Sequence, residues 1–141
     1  MDNFFKVFAL GDEFDVDAFV ASGSMVPTYV WRRGESRRGG RTFYPNSGVA
    51  FEIADGNSVP FLQQEDIAIA FLKAHRDALK ALRLYPGVTH FTLGLQYSEN
   101  AQRNLVGFSI STSPSLMWHL LDIGLCLTNY VLRYESSETE G

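Results

Sequence analysis

The apolar positions of this chain fall in short clusters cut by glycine, serine and charged residues, and their spacing changes from cluster to cluster. Residues 4–10, FFKVFAL, are aromatic and β-rich and predict a strand that stops at Gly11-Asp12. From Asp15 the spacing turns helical. Val16, Phe19 and Val20 form one side, Asp15 can cap the first turn, and Gly23 can take a left-handed stop. Pro27 then opens an extended run, Thr28-Tyr29-Val30-Trp31, which predicts a second strand. Residues 32–40, RRGESRRGG, predict a loop. A short extended piece at Thr42-Phe43-Tyr44 and a strand at 49–53, VAFEI, follow, and Asp55-Gly56-Asn57 is turn chemistry.

The longest helix is predicted over 65–84, where Ile67, Ala70, Phe71, Ala74, Ala78 and Leu82 recur every three or four residues, and Pro86-Gly87 ends it. Lys73, Arg76, Asp77 and Lys80 take the other side. A strand at 90–97 places Phe91, Leu93 and Leu95 on one face. After a polar connection, residues 105–111 predict its hairpin partner. Ser113-Pro114 starts a third helix, with Leu116, Met117, Leu120 and Leu121 as its buried side and Gly124 as its stop. The last strand is predicted over 125–134. The resulting order, β-α-β-β-α-β-β-α-β, belongs to the α+β class, with three helices on one face of a mixed, largely antiparallel sheet. Residues 1–135 read as one domain and 136–141 as an acidic, frayed tail.

Two stretches of this pattern resemble each other. Val16 aligns with Met117, Phe19 with Leu120, Val20 with Leu121, Gly23 with Gly124, Tyr29-Val30 with Tyr130-Val131, and Arg32 with Arg133. The alignment raises an internal β-α-β duplication, against chance similarity over some twenty residues, about one short supersecondary unit.

Several of these features also recur in a known family. The run from Phe8 to Glu35 has the order strand, acidic residue, short helix, Gly, Pro, Trp31, Gly34-Glu35. The long helix ends Leu82-Arg83-Leu84-Tyr85-Pro86, and the closing pattern runs from Ser109 through Leu116, Leu120 and Gly124 to Tyr130. In these respects the chain resembles the bacterial domain of unknown function 4279 family, over roughly Phe5 to Tyr134. It departs from that pattern in its first helix, Phe19-Val20-Ala21-Ser22, and in having Phe43, Tyr44 or Phe51 where a Trp is usual. The resemblance implies a bacterial α+β fold and no established activity, so it assigns no catalytic residue.

Composition adds bounds. The 141 residues are 45% hydrophobic and 20% charged, with 11 Phe, 6 Tyr and 2 Trp, which suits one well-filled core. The formal net charge of −4 disfavours nucleic acid as a partner. A single cysteine, Cys126, excludes an intramolecular disulfide and suits a reducing, cytoplasmic setting. No basic segment precedes a long apolar run at the start, so no secretory leader is expected, and no apolar stretch approaches the ~18 residues of a membrane span.

Candidate chemistry is sparse. No P-loop, GxGxxG, HExxH or GxSxG stands in the chain. His75, His90 and His119 lack ligand spacing and read as surface or helix-edge residues, Cys126 as a small buried side chain, and no metal or cofactor is expected. Asp12, Glu13, Asp15 and Asp17 gather where a helix N-terminus favours acids. The distinctive feature is a cluster of arginines, Arg32, Arg33, Arg37, Arg38 and Arg41, beside Trp31 and interleaved with glycines. Guanidinium groups grip carboxylate and phosphate and stack on aromatic faces. Tyr29 and Trp31, alternate residues of a strand, share one face and can floor a shallow cleft beside that loop. The competing reading is a solvated loop whose arginines pair with Glu35 and other acids, with the aromatics in the core. Taken together, these residues suggest a non-enzymatic protein-interaction domain, an immunity-type role being one form of it. The alternative is an anion- or nucleic-acid-binding module using the arginine loop. A homodimer through an open sheet edge is a further option.

Overall fold

The computed structural model describes residues 4–54, 61–98 and 113–132, and of these 4, 38, 61, 62, 95–98 and 129–132 by backbone alone. The expected turn at 55–57, the strand at 105–111, Ser109, Arg133 and the tail lie outside the described residues. Along the chain come β1 (Phe4–Gly11), α1 (Val16–Ser22), β2 (Tyr29–Trp31), a 3-10 turn (Arg37–Gly39), β3 (Ser47–Glu52), α2 (Phe61–Ala74), α3 (Arg76–Arg83), β4 (His90–Ser98), α4 (Pro114–Ile123) and β5 (Cys126–Leu132).

The strands form one sheet in the order β2-β3-β1-β4-β5. Strand β1 pairs antiparallel with both β3 and β4, β2 antiparallel with β3, and β5 parallel with β4. The fold is therefore α+β with a mixed sheet. Successive side chains of a strand point to opposite faces, and β1 shows it plainly: Phe5, Val7 and Ala9 are buried, while Lys6, Phe8 and Leu10 are half-buried. The inward residues join Val49 and Phe51 of β3, Phe91 and Leu93 of β4, and the helical Phe19, Ala68, Leu72, Leu79, Leu82, Leu116, Leu120 and Ile123 in one core. Around α1, Phe14, Phe19, Phe51 and Tyr85 meet edge to face or tilted, with ring centres 5.6–6.3 Å apart.

The short helices begin and end where their capping residues stand. Asp15 accepts from the Ala18 N–H and Gly23 closes α1 with φ +71°. Ser113 accepts from the Leu116 N–H, Pro114 occupies the first turn, and Gly124 closes α4 with φ +86°. The Ser113 N–H also donates to the Glu65 carboxylate at 2.7 Å, tying the start of α4 to α2.

Three expectations are corrected. There are four helices among the described residues, not three, because the predicted helix over 65–84 begins at Phe61 and breaks at His75. Its buried line runs through Gln64, Ala68, Leu72, Leu79 and Leu82. The turn between Leu72 and Leu79 carries His75 and Arg76, both exposed, so apolar packing does not hold that turn in line. Arg76 instead reaches Asp122 of α4 through its Nε at 2.6 Å and Nη2 at 3.2 Å. Second, Val20, Met117 and Leu121 are exposed, the last at 75%; Val16 and Phe19 in α1 and Leu116, Leu120 and Ile123 in α4 face the core. Third, Cys126 is exposed, because it opens β5 opposite Thr92 on the outward face.

The two segments aligned as a duplication share their glycine caps, but buried Val16 aligns with exposed Met117. The strands that follow also differ, β2 joining an antiparallel neighbour and β5 a parallel one.

Candidate functional site

The outward face of the sheet is built from two rows. Register places Tyr29, Ala50, Phe8, Thr92 and Cys126 side by side, and Trp31, Gly48, Leu10 and His90 in the next row. In both rows β3 contributes a small residue between larger ones. Gly48 is essential to this relief. A Cβ there would lie 2.3 Å from Cζ2 of Trp31, so the indole rests directly on the glycine backbone. The indole N–H donates to Oδ1 of Asn46 at 3.1 Å, which fixes the ring against β3. The Asn46 amide nitrogen has no partner among the described residues.

Beyond β2 the chain leaves the sheet and folds on itself. Gly34 N–H donates to the Tyr44 carbonyl, Tyr44 N–H to Glu35, and Arg37 N–H to Thr42, each within 3.0 Å. Gly34 and Gly39 adopt φ of +87° and +73°, which side-chain-bearing residues rarely take. The 3-10 turn at the tip returns the chain so that Tyr44 stands beside Trp31, ring centres 6.1 Å apart and tilted by 33°. The Arg37 guanidinium then lies over the Tyr44 ring, 5.3 Å from its centre, within cation–π range. Phe8, Leu10, Trp31, Arg37, Tyr44, Asn46 and Thr92 line a shallow trough of about 350 Å3.

The arginines have separate fates. Arg32 grips Asp17 of α1, with Nη2 at 2.6 Å and Nε at 3.1 Å from Oδ1, and approaches Glu35 at 3.8 Å. The hydrogen bond from Arg32 holds the Asp17 carboxyl below the usual carboxylate range, and the same bond raises the Arg32 pKa. Arg33 approaches Glu13 at 3.9 Å. Arg37 and Arg41 are exposed and make no ion pair among the described residues. The side chain of Arg38 lies outside what is described. Trp31 and Arg37 thus meet in the trough. Arg32 and Arg33 are engaged at the start of α1, and Tyr29 sits one row away under the Lys6 ammonium at 4.4 Å.

Sequence reasoning did not assign Tyr44, Asn46, Phe8, Leu10 and Thr92 to the site. Asn46 and Tyr44 carried a local signal, following the arginine loop in sequence. Phe8 and Thr92 carried none, because only the long-range register of β1 and β4 makes them neighbours.

Among the described residues no three His, Cys, Asp or Glu side chains gather in a way that could hold a metal, and no helix is long and apolar enough to cross a membrane. Set against models of protein families, curated proteins and solved structures, the chain matches none.

Proposed function

We propose that this chain is a non-enzymatic protein-interaction domain whose contact surface is the outward face of the sheet around Trp31, with the arginine-bearing loop as its rim. The observation that carries this reading is the fixed ladder of Trp31 on Gly48, Tyr44 beside it and Arg37 over Tyr44. Trp, Tyr and Arg are the residue types that dominate binding energy at protein contacts. Here they are held in place before any partner arrives, which lowers the ordering cost of binding. An acidic partner is favoured because Arg37 and Arg41 have no counter-charge among the described residues, while Arg32 and Arg33 already have theirs. That division weakens the alternative of a nucleic-acid module, since phosphate binding draws on many free cations at once. An immunity-type role is one form of this proposal. Kinship with the domain of unknown function 4279 family is proposed alongside it and brings no activity of its own.

A library of random peptides displayed on phage tests the reading. Peptide families should be enriched on the wild-type protein and lost on the folded Trp31→Ala/Arg37→Ala variant. Equal enrichment on both, or none on either, rejects this surface.

A further inference from the structure

We infer that this face reads an acidic side chain and an aromatic side chain held one residue apart in an extended segment of the partner, the carboxylate on Arg37 and the ring against Trp31. The inference rests on the outward face being the contact surface and goes on to name what it recognises.

Arg37 is held by the ring of Tyr44. Its guanidinium carbon lies over the Tyr44 ring, 5.3 Å from the ring centre. The group carries five N–H donors in a rigid fork, and among the described residues no hydrogen bond or ion pair engages them. Arg32, Arg33 and Arg76 each have a carboxylate within 4 Å, and Arg37 has none among the described residues. A guanidinium held over a ring, with its donors unengaged among the described residues, suits a bidentate carboxylate.

Guanidinium to Tyr44 is 5.3 Å and Tyr44 to Trp31 is 6.1 Å, so Arg37 and the indole stand at most about 11 Å apart. Side chains on one side of an extended chain repeat about every 7 Å, and the length of the side chains covers the remainder. A segment with one intervening residue fits within that limit. Phe8 and Leu10 line the same trough, giving the ring an apolar bed, and the Asn46 amide nitrogen, without a partner among the described residues, can donate to a carbonyl of the segment. A single carboxylate suffices for this geometry. A nucleic-acid strand would bring a row of phosphates past Glu13, Asp17 and Glu35, which already hold the remaining described arginines of the loop's base.

The probes are acetyl-Glu-Ala-Phe-amide and acetyl-Gln-Ala-Phe-amide, titrated into the protein and followed by NMR at the Trp31 indole N–H and the Arg37 Nε–H. The Glu peptide should bind at least about tenfold more tightly than the Gln peptide, as a charge-assisted pair requires. Arg37→Gln should bring the two within about twofold. Arg37→Lys should lose most of the preference too, because a lysine neither stacks flat nor binds bidentately. Equal binding of both peptides at Trp31 overturns this inference and leaves the contact surface standing. No perturbation of Trp31 or Arg37 by either peptide overturns both. Tighter binding of a four-residue oligothymidine than of the Glu peptide overturns the inference in favour of nucleic acid.

Discussion

Replacing Gly48 with alanine tests whether the site depends on the small residue beneath the indole. The added Cβ would stand 2.3 Å from Cζ2 and 2.7 Å from Cε2 of Trp31, and 2.9 Å from the Ala9 carbonyl oxygen. Carbon atoms rest at about 3.5–4.0 Å, so the ring must lift by more than about 1 Å. Forced overpacking of this kind costs about 1–3 kcal/mol. Alanine in place of glycine within a strand returns roughly 0.5–1 kcal/mol. The net loss should be on the order of 1–2 kcal/mol, or roughly 3–8 °C in Tm for a chain of this size. Urea unfolding measures the first quantity. Emission from Trp31, recorded with Trp118→Phe so that only one indole reports, should shift to the red as the ring leaves its seat. The decisive comparison is a double-mutant cycle with Trp31→Ala. With the indole gone, the Ala9 carbonyl contact at 2.9 Å remains, so Gly48→Ala should still cost stability, but about 1 kcal/mol less than with Trp31 in place. If the substitution costs the same with and without Trp31, the indole does not rest on Gly48 and the trough is misdescribed.

Two further outcomes follow from the fold. The Asp122 carboxyl is held below its ordinary pKa, first by the hydrogen bond from Arg76, with Lys80 and His119 adding charge. A depressed folded pKa gives stability above the unfolded value that vanishes as pH falls through the folded one. The stability gap between wild type and Asp122→Asn should thus be constant near neutrality and close below about pH 4; a gap that widens in acid would refute the pairing. Gly87 has φ +91°, and a Cβ there would meet the Glu13 carbonyl oxygen at 2.3 Å, so Gly87→Ala should lower stability by about 1–3 kcal/mol, and an unchanged thermal midpoint would contradict that close approach.

How much of this was readable in the chain depends on the range of the interaction. The ends of α1 and α4 were readable, because Asp15, Gly23, Ser113, Pro114 and Gly124 act on their own neighbours. The break at His75 was not, since no glycine or proline marks it and the apolar spacing on both sides suits one helix; what departs is a single polar turn and a bond to α4. The shared face of Tyr29 and Trp31 came from alternation alone. The sorting of the arginines could not, because Asp17 and Glu13 claim Arg32 and Arg33 across the start of α1, and Arg37 reaches Tyr44 only through the turn that ends at Gly39. Strand register, joining residues as far apart as Phe8 and Thr92, has no local signature at all.

The excursion between β2 and β3 closes upon its own backbone at Gly34 and Tyr44 before it re-enters the sheet. Its tip, residues 37–42, is consequently closed off from the strands, so side chains there other than at Gly39 can be exchanged while the strands keep their alignment. Grafting other sequences there, with glycine kept at position 39, would change the rim of the proposed contact surface with little penalty to folding, much as interchangeable heads fit a common handle.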